Sequence, residues 1–162
     1  MKRKLVCAAA CLHLMALSSL SQMGKQQDAL RGLSSLYVSV DSLDKTVVTD
    51  EQLRVQIELR LRRAGILVKQ CATDTLCLPQ IYVKVVPIPT GDRTMFCLIR
   101  MEGNIAVSPV GEPNRRLMAT AWLTESSILA LKNEYRPVTD EIDRMVDALA
   151  NDYLAANPKP RQ

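Results

Sequence analysis

Histidine is almost missing from this chain. One residue of 162 is histidine, His13, and it lies in an apolar run near the start. If that run is removed, no imidazole remains. Ser-His-Asp and Cys-His nucleophile chemistry then goes, and so do histidine-based zinc, copper and non-haem iron sites. Beyond the run only Cys71, Cys77 and Cys97 are left, too few for a four-cysteine zinc site. Aromatic residues make up 4% of the chain, with one Trp and one Phe, which leaves little ring surface for flavin or carbohydrate. An excess of one charge is missing as well. The 21 basic residues against 17 acidic ones include Lys2, Arg3 and Lys4, and no acid falls in residues 1–21, so the remainder carries 18 bases and 17 acids. A nucleic-acid binder needs a concentrated positive field, so no nucleic acid is expected as a partner, and no cofactor or metal. There is no internal repeat or low-complexity tract.

What is present begins with an address. Lys2, Arg3 and Lys4 form a cationic head, Leu5 to Leu20 carry no charge, and Ser21-Gln22-Met23-Gly24 are small or polar. This is the pattern of a secretory signal peptide, read here as residues 1–21 with cleavage after Ser21. A site after Ser18 fits the same rule. A retained membrane anchor is the alternative, although sixteen residues are short of the roughly 20 that a span needs. Lipidation at Cys11, after Ala8-Ala9-Ala10, is another. The expected product is periplasmic or extracellular and, once cleaved, has no membrane contact. Residues 22–32 read as a flexible leader, 33–158 as one domain and 159–162 as a tail.

The domain pattern alternates two periods. Leu36, Val38 and Val40 share one face of a first strand. Thr49 and Gln52 make a capping box, Val48 and Leu53 a hydrophobic staple, and Leu53, Ile57, Leu61 and Ala64 an apolar helical stripe ended by Gly65. Ile66–Val68 reads as a short strand, which suggests a parallel crossover. Ile81–Val86, ended by Pro87 and Pro89, is a third strand. Residues 95–107 form a fourth, with Gly103 as a bulge, and Leu117–Thr124 a fifth; these three make a meander. Val138, Ile142, Met145, Val146, Leu149 and Tyr153 mark a last helix over 137–156. The order β-α-β-β-β-β-α predicts an α+β two-layer sandwich. Its sheet would be mixed and mostly antiparallel, with about five strands and two helices on one face.

Four stretches resemble a group of small exported bacterial proteins of uncharacterised function: T-D-E-Q-L-R-V-Q-I-E-L-R-L-R-R-A-G-I at 49–66, I-Y-V-K-V at 81–85, A-T-A-W at 119–122 and N-D-Y-L-A-A-N-P-K at 151–159. The resemblance spans residues 36–159 and implies an exported α+β domain with nothing catalytic. It carries no functional residue over, and C-A-T-D-T-L-C at 71–77 reads as an added loop.

Few constellations point to chemistry. Cys71 and Cys77 flank one polar loop and are expected to form a disulfide in an oxidising compartment, although three cysteines allow three pairings. Cys97 reads as core. Asp41, Asp44, Asp50 and Glu51, and separately Asp140, Glu141, Asp143 and Asp147, could pair carboxylates, but helix capping and wet helix faces explain them. Arg60, Arg62 and Arg63 suit a helix C-terminus, with an anion site as the alternative. Ser34-Ser35 and Ser126-Ser127, with Lys132 as a base, lack any elbow motif. Trp122 is core if it faces the helices and a partner anchor if it faces outward. No catalytic residue is assigned. The expectation is a non-enzymatic exported domain that binds a protein partner or itself through a sheet face or edge. A small carboxylate-dependent hydrolase, or an anchored accessory subunit if the signal is retained, are the alternatives.

Overall fold

The computed structural model describes residues 26–42, 49–71, 77–132 and 134–158. The signal segment, Asp44, Val48 and the tail lie outside the described residues. Four strands form one sheet in the order β1 (Tyr37–Ser42), β2 (Gln80–Pro89), β3 (Thr94–Val107) and β4 (Leu117–Leu131). Two long helices, α1 (Asp50–Arg63) and α2 (Arg136–Ala156), share its core. β1 and β2 are parallel; β2, β3 and β4 are an antiparallel meander. The class is α+β with a mixed sheet, as the sequence implies.

The strand count differs by one. Residues 66–68 contribute only a bridge, in which Leu36 pairs with Val68 in parallel. The parallel crossover is there, but it is one residue pair wide. Two strands run longer than their sequence signals. β2 continues through Pro87 and Pro89 because β1 has already ended opposite Val85. Among the described residues no strand pairs with β2 beyond Val85 on that side, so the absent N–H groups of the prolines cost no ladder bond there. β4 continues past Thr124 through Glu125-Ser126-Ser127 to Leu131, because pairing with β3 supplies what local propensity lacks.

The cross-strand rows assign the faces. Val38, Ile81, Gly103 and Trp122 form one row, and Val40, Val83, Met101 and Thr124 the next. These residues and their alternates face the helices. α1 is built as expected: Thr49 and Gln52 close the capping box, Gly65 has φ 85°, and Leu53, Ile57 and Leu61 are buried. Val55 and Leu59, off the stripe, stay exposed. α2 buries all six of its periodic residues and Ala150. Burying one such side chain contributes about 1.5–3 kcal/mol.

Residues 26–32 fall in the stretch expected to be a flexible leader, and they are packed. A helical turn at 26–29 leads to Leu30, which is buried. Asn157 Nδ2 donates to the Leu30 carbonyl at 2.9 Å, and the Gly32 N–H donates to Asn157 Oδ1 at 2.7 Å. The Tyr153 hydroxyl donates to the Leu33 carbonyl. A polar sequence concealed this because one leucine and a set of main-chain groups do the docking.

The register between β3 and β4 shifts beside Gly103, but the extra residue is not the expected glycine: Gly103 pairs with Trp122 and Asn104 with Thr120, so Ala121 of β4 is the one bulged out. A Cβ on Gly103 would sit 3.1 Å from Trp122 Cβ. That neighbour is fixed to its own strand and cannot swing aside. Gly103→Ala is therefore expected to cost about 1–3 kcal/mol, read as a lower urea midpoint with an unchanged m-value.

Candidate functional site

The sheet face away from the helices is the surface left for function. Its rows follow from the register. Asp41, Lys84, Arg100 and Glu125 cross all four strands as a band of charges, acidic at both ends and basic in the middle. Arg100 reaches Glu102 at 2.5 Å and Glu125 at 3.3 Å. Tyr82 donates its hydroxyl to Asp41 at 3.0 Å. Burial, and then the Asp41 carboxylate, raise the Tyr82 phenol above its ordinary pKa.

Beside this band the surface turns apolar. Val86, Leu98 and Ser127 form one row, Ile88, Phe96 and Leu129 the next, with Leu131 beyond. Leu129 is 66% exposed, and Ile88, Leu98 and Leu131 are also open to solvent. A depression of ≈ 310 Å³ lies where the two zones meet, lined by Lys84, Val86, Leu98, Arg100 and Glu125. A second, of ≈ 400 Å³, lies at the end of β4 beside Arg93, Lys132 and Glu134.

The sequence-derived candidates scatter. Trp122 faces the helices and is 2% exposed. Its role as a partner anchor is therefore corrected: register places it opposite Gly103 in the core, and its indole N–H donates to Asp152 Oδ2 at 2.9 Å. Asp50 accepts the Ser42 N–H, and Glu51 pairs with Arg54. Arg60 bridges the helices to Asp143 at 2.8 Å and Asp147 at 2.6 Å, while Arg62 pairs with the buried Glu58. These arginines are neutralised by acids of the same layer, which argues against the anion site. Ser126 hydrogen-bonds Glu141. Lys132 lies six residues further on, about 20 Å along a strand, so the structure does not bring that pair together. Cys97 is buried in the sheet. Among the described residues no group of three or more His, Cys, Asp or Glu is placed to hold a metal.

Cys71 and Cys77 are joined, with Cα atoms 5.9 Å apart. Serine at both positions is expected to lower stability by about 2 kcal/mol, the loop-closure value for so short a ring, and free thiols in peptides of the unreduced protein would contradict the pairing.

The acid limb of stability follows from the helix ion pairs. Arg60 holds the Asp147 carboxyl below its usual range, and Arg144, then the Ser126 hydroxyl, do the same for Glu141. A carboxylate with a depressed folded pKa contributes its full stability above the unfolded value of about 4 and loses it as pH falls through the folded one. Stability should thus be level from about pH 7 to 5 and decline below about pH 4. Asp147→Asn should cost only about 0.2–1 kcal/mol at neutral pH, because Asp147 is half exposed, and its deficit should shrink in acid.

No family model matches the chain, and no curated protein matches it. Two solved structures are similar in part. One is a dodecamer of a PelC point variant from Paraburkholderia phytofirmans, at 13% identity and TM-score 0.47, covering 74% of this chain and 90% of that one. The other is a minor lipoprotein from Acinetobacter baumannii, at 14% identity and TM-score 0.28, covering 76% and 92%.

The charge band and its apolar neighbour were missed in the sequence because their members come from four strands. A partial signal existed: Phe96, Leu98 and Arg100 alternate with the core residues of β3.

Proposed function

We propose that this is an exported, non-enzymatic domain that works by binding protein, a partner or another copy of itself, through its uncovered sheet surface. The observation that carries this is the exposed apolar zone of Ile88, Leu98, Leu129 and Leu131 on the face that neither helix covers. Contiguous exposed apolar surface rimmed by charge marks an interaction site. The Cys71–Cys77 disulfide and the signal-like start support export. Among the described residues no helix is long and apolar enough to cross a membrane.

The test compares tagged wild type with a Leu98→Glu/Leu129→Glu variant recovered from the native envelope fraction. Wild type is expected to retain a partner or to self-associate, and the double variant to lose this while keeping its circular dichroism. Equal retention by both, or a wild type that binds nothing, would sink the reading. Sequencing of the purified N-terminus decides between cleavage and a retained anchor.

A further inference from the structure

We propose that two copies pair antiparallel along β4 about a two-fold axis at Ser127, joining their sheets into one. The inference rests on the binding reading above and names the occupant as a second copy of this chain.

β4 is the last strand of the sheet, and among the described residues no strand pairs with its outer side. Two hydrogen bonds fix which groups point there. Lys132 N–H donates to the Arg93 carbonyl, so even-numbered residues after the bulge face β3. The Leu123 carbonyl accepts from the Gln26 side chain instead, so odd-numbered residues face away. The N–H and C=O groups of Glu125, Ser127 and Leu129 therefore line the outer edge. An edge of this kind is ordinarily blunted by lysine, proline or a bulge. From Trp122 to Leu131 there is no lysine or proline, the register shift lies before this stretch, and the only charge is Glu125.

That single charge rules out one register. An axis at Glu125 would set it directly against its own copy, which is destabilising. An axis at Ser127 sets Ser127 against Ser127 and Glu125 against Leu129 of the second copy, and it puts all three outward-facing residues into hydrogen-bonded pairs. It also runs the row Val86–Leu98–Ser127 into the same row of the second copy, while the apolar row Ile88–Phe96–Leu129 runs on into the second copy's row Glu125–Arg100–Lys84.

The geometry offers a position-specific test. In a hydrogen-bonded antiparallel pair the Cα atoms are about 5.5 Å apart, within disulfide reach. Ser127→Cys is expected to form a covalent dimer on mild oxidation, while Glu125→Cys, which faces Leu129, is not. Ser127→Pro removes only an outward N–H and should leave the fold intact but weaken dimerisation about 100-fold in sedimentation equilibrium, through two lost hydrogen bonds, one donated by each copy. Ser127→Lys serves the same purpose should the proline variant fail to fold. A wild type that stays monomeric, with no cross-link in the Ser127→Cys variant, overturns the second-copy inference and leaves partner binding by the sheet face standing. A dimer indifferent to the proline and lysine variants, or one cross-linked equally well by Glu125→Cys, overturns the edge register and assigns association to the face.

Discussion

Trp122→Ala is expected to destabilise the protein by about 3–5 kcal/mol, the range for emptying a large aromatic site. Two losses combine. The indole fills the core opposite Gly103, where no side chain can expand into the space because the glycine has none. Its N–H also supplies one hydrogen bond to Asp152, whose other oxygen takes the Gln27 amide at 2.8 Å. The tryptophan thus couples β4, α2 and the N-terminal turn through one carboxylate. Trp122→Phe separates the terms: it keeps most of the volume but removes the donor, at about 1–3 kcal/mol for a polar group left short of a partner. Chemical denaturation followed by circular dichroism measures both. A Trp122→Ala cost below that of the Phe variant would show that the residue is not core.

The second large effect separates two residues on one helix. Ile57 is fully buried, and Val55, two positions earlier, is 50% exposed. Ile57→Ala should cost about 2–5 kcal/mol, the transfer loss plus the residual cavity, while Val55→Ala should fall within about 0.5 kcal/mol of wild type. The contrast follows from the helical period: 57 lies on the stripe with 53 and 61, whereas 55 lies well off it. Equal costs would mean that α1 is rotated from the placement described.

Both effects explain how far the sequence could be read. The capped α1, its stripe, the six buried positions of α2 and the meander are encoded within short windows, by period and by capping chemistry, whereas the bulged residue, Ala121, is fixed only by how β3 and β4 pair. Ile66–Val68 has strand-like residues but only one bridging partner, and that partner lies outside any local window. β2 runs on to Pro89 because a proline's cost depends on whether a neighbouring strand is there, which no local window contains. Trp122 could not be oriented before the register was known, since one step of register turns a side chain to the other face. The uncovered face was least legible. Its charge band joins residues 41, 84, 100 and 125, which no window spans.

The clasp at Asn157 has a consequence for the chain as a thread. Its side chain holds Leu30 and Gly32 while Tyr153 holds Leu33, so the first and last described segments lie side by side. The turn around Gly111–Asn114, by contrast, is fully open to solvent. A gene rewritten to start in that turn, with a short linker from residue 158 to residue 26, would therefore preserve every described strand pairing. The order in which the elements are synthesised is separable from the architecture they reach.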